Sequence, residues 1–276
     1  MFTFEELRKK YPTFVYRSYT VSDDGGNLKV TYEFALGDDI VFRPSWVFPY
    51  QKEKIESGKS AKVLKRVLFL LGCVELVSYW KAACPQKVVI ECGKLTDEET
   101  LWFKKLFFNG LGEFFYRNGI STDEKTFMTI ESHGEAFEKT PLAGIFSGNL
   151  IPVGGGKDSV VTMELLRAHK AENKVFMINS LGSAVETARV AGYSAKDTVA
   201  PKRRLDLKIV ELNSQGFLNG HTPFSAIVAF SALFCAIAEQ KRYIVLSNES
   251  SANDVYVKGT TVNHQYSKSV EFENDF

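Results

Sequence analysis

The sequence predicts an α/β protein with a doubly wound parallel sheet, preceded by a smaller α+β domain. From residue 149 onward, short apolar runs alternate with helical patterns, as in a parallel sheet covered by helices. Three consecutive glycines stand at the first strand-to-helix junction of this region. The earlier part instead combines a hairpin pattern with long helices. We therefore predict an α+β domain over residues 1–130 and the α/β domain over 149–276, connected by a weakly periodic segment at 122–148.

The strands of the first domain are predicted from β-branched and aromatic runs. Residues 14–19 and 28–34 flank a Ser-Asp-Asp-Gly-Gly-Asn stretch, whose residues tolerate positive φ and favour a hairpin loop. Residues 40–43 and 88–91 are further short strand candidates.

Two helices of this domain carry clear end signals. The first is predicted over residues 60–83, because a residue that precedes proline, here Pro85, is pushed out of helical geometry. The second begins at Thr96, where Glu99 three positions later completes a capping box, and it ends at an Asn-Gly pair closing on Gly119. Its predicted apolar face comprises Leu101, Phe107, Phe108, Leu111 and Phe115.

The second domain alternates strands and helices. Thr222 followed by Pro223 is a cap-plus-first-turn signal for its last long helix. Strands are predicted over residues 149–153, 175–179 and 243–247, and helices over 160–170, 182–191, 205–212 and 222–240.

Composition excludes several classes of function. Lys and Arg number 34 against 33 acidic residues, which leaves no electrostatic footprint for nucleic acid or an anionic membrane. Four cysteines without a CxxC pair indicate neither a disulfide framework nor a zinc site. The apolar runs 67–80 and 224–238 are shorter than the roughly 20 residues of a membrane span. With no signal segment at the N-terminus, we expect a cytoplasmic protein without nucleic-acid or membrane partners.

The glycine loop has the composition of a phosphate site. It comprises Gly154, Gly155, Gly156, Lys157, Asp158 and Ser159. Glycine lets successive N–H groups point into one concavity and lets a phosphate approach without meeting a Cβ, and the helix N-terminus adds partial positive charge. Lys157 supplies a full charge, Ser159 a hydroxyl donor, and Asp158 a carboxylate for Mg²⁺.

Two common nucleotide motifs do not fit the chain. Gly58-Lys59-Ser60 resembles the end of a Walker A loop, but Glu53 occupies the position of the first glycine and no strand precedes it. No Gly-x-Gly-x-x-Gly fingerprint occurs at the junction. The loop instead resembles the Ser-Gly-Gly-x-Asp-Ser signature of PP-loop ATP pyrophosphatases, with Gly154 in place of the serine. This resemblance implies cleavage of ATP between the α and β phosphates and adenylation of a substrate.

Further segments narrow the resemblance. They are SYWKAA at 78–83, NGLGEF at 109–114, YRNG at 116–119, NGH at 219–221 followed by Pro223, LSNESSA at 246–252 and VNHQYSK at 262–268. In this order, and together with the glycine loop, they are similar to the bacterial UDP-N-acetylmuramoyl-L-alanyl-L-glutamate epimerase family over residues 78–276.

This resemblance implies an inversion of the terminal L-glutamate of a UDP-linked muramoyl dipeptide to D-glutamate. The reaction depends on ATP and Mg²⁺ and releases AMP and pyrophosphate. Family members continue beyond the position of Phe276, so we expect the α/β domain to be incomplete here. Two alternatives stay open: another adenylating enzyme that amidates or thiolates its substrate, and a nucleotide-binding module without catalysis.

The motif segments supply the candidate side chains for catalysis. His221 and His264 are predicted to carry protons, because histidine titrates near neutral pH, and Lys81 and Glu249 are further candidates. Glu249 is also a candidate metal ligand beside Asp158, since it follows a strand end. The candidates for substrate binding are Arg117, Glu113, Asn248 and Lys268. Cys84 is expected to serve only in helix-end packing.

Overall fold

Two β-sheets organise the chain in the computed structural model, which describes residues 2–257 and 262–276. The strands are β1 (Thr13–Asp23), β2 (Leu28–Leu36), β3 (Ile40–Phe42), β4 (Ser45–Phe48), β5 (Lys87–Ile90), β6 (Thr129–Ser132), β7 (Asn149–Pro152), β8 (Asn173–Phe176), β9 (Thr198–Val199), β10 (Lys202–Arg204) and β11 (Tyr243–Ile244). The α-helices are α1 (Phe4–Lys10), α2 (Lys52–Ser57), α3 (Ala61–Trp80), α4 (Asp97–Gly110), α5 (Gly112–Arg117), α6 (Lys157–Leu165), α7 (Gly182–Val190), α8 (Lys208–Ser214), α9 (Phe224–Ala238) and α10 (Val270–Asp275).

The seven-stranded sheet is mixed. Its order is β10-β4-β2-β1-β5-β6, with β3 paired to β2. The predicted hairpin is confirmed as the long antiparallel pair β1–β2, whereas β5 and β6 run parallel to β1 and to each other. The sequence prediction omitted β4, β6 and β10. Because β10 pairs with β4, a strand from the second part of the chain completes the sheet of the first part.

The four-stranded sheet is parallel throughout and has the order β11-β7-β8-β9. Side chains that follow one another along its strands belong to two different hydrophobic clusters. Leu150 and Phe176 belong to the main core, whereas Ile151, Val175 and Met177 pack with α6 and α7. Side chains that alternate in this way cover both faces of a sheet. The α/β class and the doubly wound arrangement are therefore confirmed.

Helix α3 forms the centre of the main core. Most of its second half is fully buried, and it packs against β1, β2 and α9, while α9 also contacts β7 and β11. Gly72 lies where α3 meets the hairpin, since a Cβ there would come within 2.1 Å of the Tyr16 hydroxyl. Both apolar runs of the sequence are therefore core helices, as predicted. In the described part of the chain, no helix is long and apolar enough to cross a membrane.

The helices differ from the prediction in some of their boundaries and in the exposure of one side chain. The second predicted helix is split at Leu111 into α4 and α5, although its capping box forms as expected between Thr96 and Glu99. Leu101 was assigned to the apolar face but is 67% exposed. The predicted helix 160–170 starts earlier, at Lys157, and continues after Leu165 only as a 3₁₀ turn.

The start of α9 also differs from the prediction. Pro223, expected in the first turn of α9, is instead its N-cap residue, and the helix begins one position later. The domain limits 1–130 and 149–276 remain a prediction.

Candidate functional site

The glycine loop lies where the parallel sheet changes winding direction. From β7 the chain proceeds outward to β8 and β9, and β11 then returns to the opposite side of β7. The crevice at the carboxyl ends of the strands flanking such a reversal is where open α/β sheets bind ligands. Both the loop after β7 and the segment after β11 that carries Asn248 and Glu249 lie at this edge.

The three glycines have different roles in the loop. Gly155 has φ +83°, and a Cβ on it would lie 2.7 Å from the backbone N of Ala184, at the start of α7. Gly154 and Gly156 lack such neighbours: no described atom lies within 4 Å of a Cβ built on either residue. The middle glycine is thus required by packing, whereas the outer two leave the backbone open on the side of the cavity.

Ser159 forms a hydrogen bond within the glycine loop. Its side chain is buried, and its hydroxyl donates to the Gly156 carbonyl oxygen at 2.9 Å. Ser159 also lines the cavity, and its predicted role as a donor to phosphate stays a prediction. The bond to Gly156 fixes the turn that leads into α6, so Ser159 helps to hold the N–H groups of the loop in position.

Charged side chains of two segments meet beside the loop. The Lys157 Nζ lies 3.2 Å from Asp158 Oδ1 and 3.0 Å from Glu249 Oε1. Hydrogen bonding to Glu249 and Asp158 raises the pKa of Lys157. Partial burial would raise the pKa of Asp158, but hydrogen bonding with Glu249 and Lys157 and the charges of Lys157 and Lys268 lower it on balance. Both shifts favour the charged forms of Lys157 and Asp158 at neutral pH.

A cavity of about 610 Å³ opens in front of the loop. This volume lies in the roughly 300–1,000 Å³ range of small-molecule sites. Six residues singled out by sequence line it: Gly154, Gly156, Asp158, Ser159, Asn248 and Lys268. The cavity therefore joins the glycine loop with the segments after β11 and before α10.

The cavity wall also contains residues that the sequence analysis missed. Arg203 on β10, Asn179 after β8 and Phe224 at the start of α9 all line it. A Lys-Arg-Arg run is usually a solvated surface, and nothing local in the sequence indicates that its middle residue turns inward. The long-range pairing of β10 with β4 is what places Arg203 in the wall.

A second group of predicted residues, the His221 cluster, consists of Lys81, Glu113, His221 and His264. The two imidazole rings are perpendicular, with centroids 6.0 Å apart. Lys81 follows α3, and its ammonium donates to the carbonyl oxygen of Gly220. Burial, followed by the charge of Arg203, lowers the pKa of Lys81 to about 8. Burial also lowers the pKa of His221, against the charge of Glu113.

Close backbone approaches bring the segments of this cluster together. A Cβ on Gly110 would lie 2.6 Å from the Pro223 ring, and one on Gly220 would lie 3.0 Å from the Phe114 ring. The Asn118 amide donates to the Asn219 carbonyl oxygen at 3.1 Å. Motif segments that are about a hundred residues apart in sequence thus form one surface, which explains why they carry glycine and asparagine.

The predicted residues do not all meet in one place. None of the four residues of the His221 cluster lines the cavity, although Arg203 in the cavity wall acts electrostatically on Lys81. Arg117 is largely exposed and pairs with Glu113 at 3.3 Å. Within residues 2–257 and 262–276, no group of three or more His, Cys, Asp or Glu side chains is arranged to hold a metal.

Cys84 has no features of a catalytic thiol. It is fully buried at the end of α3, where its Sγ contacts the Lys81 carbonyl oxygen at 3.5 Å. Burial raises the pKa of this thiol, so it is not present as the reactive thiolate at neutral pH. The expected packing role is consistent with this environment.

Comparisons with known proteins agree on one family. The model of the MurL N-terminal domain matches residues 5–276. Over 221 residues, the chain is 34% identical to a protein named UDP-N-acetyl-alpha-D-muramoyl-L-alanyl-L-glutamate epimerase from Xanthomonas oryzae pv. oryzae, covering 79% of this chain and 48% of the relative. Proteins of the same name from Salinispora tropica and a Micromonospora species are 30% and 31% identical, each over 98% of this chain and 58% and 59% of the relative.

The chain thus spans about half to three fifths of the length of these curated relatives. No solved structure gives a significant match to it.

Proposed function

Because the chain belongs to the MurL N-terminal domain family, we propose that it inverts the terminal L-glutamate of a UDP-linked muramoyl dipeptide to D-glutamate, using ATP. The names of the three relatives support the epimerisation. The observation that carries the use of ATP is the open glycine loop at the switch point of the parallel sheet, facing a ligand-sized cavity. A nucleotide-linked precursor of peptidoglycan is a cytoplasmic substrate, so we assign the reaction to the cytoplasm.

In this proposal the loop holds the phosphates of ATP. Gly154 and Gly156 present backbone N–H groups without a Cβ in the way, and the N-terminus of α6 contributes partial positive charge. Lys157 adds a full charge near the loop. An arriving polyphosphate competes for this ammonium with Asp158 and Glu249, which lie within about 3 Å of it.

The residues present fit a magnesium ion bound together with phosphate. Mg²⁺ in nucleotide sites typically takes one or two carboxylates, with phosphate oxygens and waters as the other ligands. Asp158 and Glu249 supply two carboxylates from neighbouring segments, both bonded to Lys157. When bound, the ion neutralises charge that builds up on the departing pyrophosphate.

Adenylation makes the inversion chemically accessible. A carboxylate oxygen of the substrate attacks the α-phosphorus of ATP, and pyrophosphate leaves. The resulting mixed anhydride no longer carries the carboxylate charge that opposes a carbanion on the adjacent carbon. One protein group then removes the α-proton, a second group delivers a proton to the opposite face, and water releases AMP and the D-glutamyl product.

The His221 cluster is our candidate for the two proton transfers. A general acid–base group is most effective when its pKa is near the operating pH, and such assistance typically contributes about 10²–10⁴-fold. Burial brings Lys81 to a pKa of about 8, and His221 and His264 lie with ring centroids 6.0 Å apart. We assign the substrate contacts to Asn248 and Lys268 in the cavity wall, to Glu113 of the cluster and to Arg117 beside it.

The proposal is tested by incubating the chain with UDP-N-acetylmuramoyl-L-alanyl-L-glutamate, ATP and Mg²⁺, followed by chiral analysis of glutamate and quantification of AMP. We expect D-glutamate and AMP to form together, and neither to form without ATP. A relative of full length serves as the positive control. AMP release without inversion, on another carboxylate, indicates a different adenylating enzyme. ATP binding without any turnover indicates a nucleotide-binding module.

A further inference from the structure

Arg203 is held in the cavity wall by an extensive set of contacts. Its guanidinium bonds Glu75 in a bidentate manner, with Nη2 2.6 Å from Oε1 and Nε 2.9 Å from Oε2. Nη2 also donates to the Ser78 hydroxyl at 3.3 Å, and the Glu75 carboxylate accepts from Trp46 Nε1 at 3.2 Å. The backbone N–H of Arg203 donates to Asn179 Oδ1 at 2.7 Å. This arginine therefore has one fixed orientation.

Stability alone does not account for this ion pair. The Glu75 side chain is fully buried and that of Arg203 is 11% exposed. Taking two charges out of water costs about as much as their attraction returns, so apolar residues at such positions are often equally stabilising. Glu75 moreover interrupts the apolar surface of α3, the central helix of the core. A pair retained under these conditions points to a role at a ligand site.

The Nη1 group of the guanidinium is available to a ligand. Glu75 and Ser78 occupy Nε and Nη2, whereas Nη1 makes no hydrogen bond within the described residues. Arg203 lines the same cavity as the glycine loop, and its guanidinium carbon lies 5.9 Å from the centre of the Phe224 ring. A permanently charged guanidinium with a free N–H group binds carboxylate or phosphate oxygens.

We propose that Arg203 is a second oxyanion-binding position of the cavity, distinct from the glycine loop, and that Glu75 is its positioning residue. The inference rests on the proposed function, because it assigns the oxyanion to one of the two substrates, as a glutamate carboxylate or an ATP phosphate. Arg203 connects both parts of the site: it lines the cavity with the loop, and its charge acts on Lys81 of the His221 cluster. An oxyanion bound here would share the cavity with the glycine loop and partly offset the charge of Arg203 that acts on Lys81.

The test compares two variants with wild type by isothermal titration calorimetry. Arg203→Lys keeps the charge opposite Glu75 but removes the planar fork. The double variant Glu75→Gln/Arg203→Gln removes both charges together, so no buried charge is left unpaired. Arg204→Lys is the matched control, since Arg204 is the next residue of β10 and is exposed. Circular dichroism and thermal unfolding verify that each variant is folded.

We expect both Arg203 variants to bind one ligand roughly 10- to 100-fold more weakly, the range of one hydrogen bond to a charged group, while Arg204→Lys binds like wild type. Weaker binding of the muramoyl dipeptide alone identifies a carboxylate, and weaker binding of Mg²⁺–ATP alone identifies a phosphate. If folded Arg203 variants bind both ligands like wild type, the inference is wrong. Because binding is measured without turnover, this outcome is separate from a failure of wild type to epimerise.

Discussion

Substitution of Gly155 by alanine tests whether the glycine loop is built as described. The left-handed backbone at φ +83° costs a residue with a side chain about 1–2 kcal/mol. The new Cβ would also lie 2.7 Å from backbone atoms of Ser183 and Ala184, which cannot rotate away, and such overpacking typically costs about 1–3 kcal/mol. We therefore expect Gly155→Ala to lower the free energy of unfolding by about 2–5 kcal/mol, measured by urea denaturation.

The outer glycines provide the contrast. Gly156 has an ordinary φ of −93°, and no described atom lies within 4 Å of a Cβ there. Because Gly156 is the N-cap residue of α6, where alanine is less favourable than glycine, Gly156→Ala should lower the free energy of unfolding by at most about 1 kcal/mol. Its methyl group would occupy the open side of the loop, so ATP should bind at least about tenfold more weakly, a loss of about 1.4 kcal/mol. Gly154→Ser restores a hydroxyl and should bind ATP at least as tightly as wild type.

Two results would refute this reasoning. If Gly155→Ala unfolds at the same urea concentration as wild type, the loop is not packed against α7 as described. Gly156→Ala binding ATP as tightly as wild type shows that the phosphates lie elsewhere.

Three further predictions concern ionisable groups. The pKa of Lys81 is about 8 in the folded chain and 10.5 when the side chain is exposed, so the unfolded chain binds the proton more tightly. The free energy of unfolding should therefore rise between pH 8 and pH 10.5, by at most about 3 kcal/mol. Lys81→Met should abolish this rise in urea denaturation, and an unchanged rise contradicts the assignment. In the presence of Mg²⁺, Asp158→Asn should weaken ATP binding by roughly tenfold or more. Glu164 is an exposed acid on the same helix, so Glu164→Gln should leave ATP binding unchanged. Equal effects of the two substitutions in calorimetry would exclude a metal role for Asp158. Cys84→Ala should leave the epimerisation rate unchanged, since the thiol is fully buried, and loss of turnover in a folded variant would require a cysteine mechanism.

Elements with strong local patterns were predictable from sequence. The hairpin β1–β2 has β-branched and aromatic runs on both sides of a glycine-containing loop. Helices α3 and α9 are long apolar runs with a proline near one end, and α4 has a complete capping box, so neighbouring residues determine these elements. Strands β9 and β10 contain only two and three residues. No periodicity can be recognised over such a length, and β10 exists because β4 offers its edge.

The candidate site also has one part that could be predicted from sequence and one part that could not. The glycine loop was predictable because a glycine run at a strand-to-helix junction has a local physical reason. Glu75 and Arg203 are 128 residues apart in the sequence. By itself, Glu75 is only an interruption of an apolar helix, and Arg203 is only one charge in a basic run. The tertiary fold is what pairs them. Similarly, family resemblance indicated His221 and His264, but the packing around Gly110 and Gly220 is what brings their segments together.

The most direct test of the central claim is exchange of solvent deuterium into the substrate. The chain is incubated in D₂O with the UDP-linked muramoyl dipeptide, Mg²⁺ and ATP, and the glutamate α-position is followed by mass spectrometry alongside AMP. The proposed mechanism predicts one deuterium at the α-carbon of the D-glutamyl product, formed only when ATP is present. Release of AMP without deuterium in the glutamate, or exchange that proceeds equally without ATP, would contradict inversion through an adenylated carboxylate.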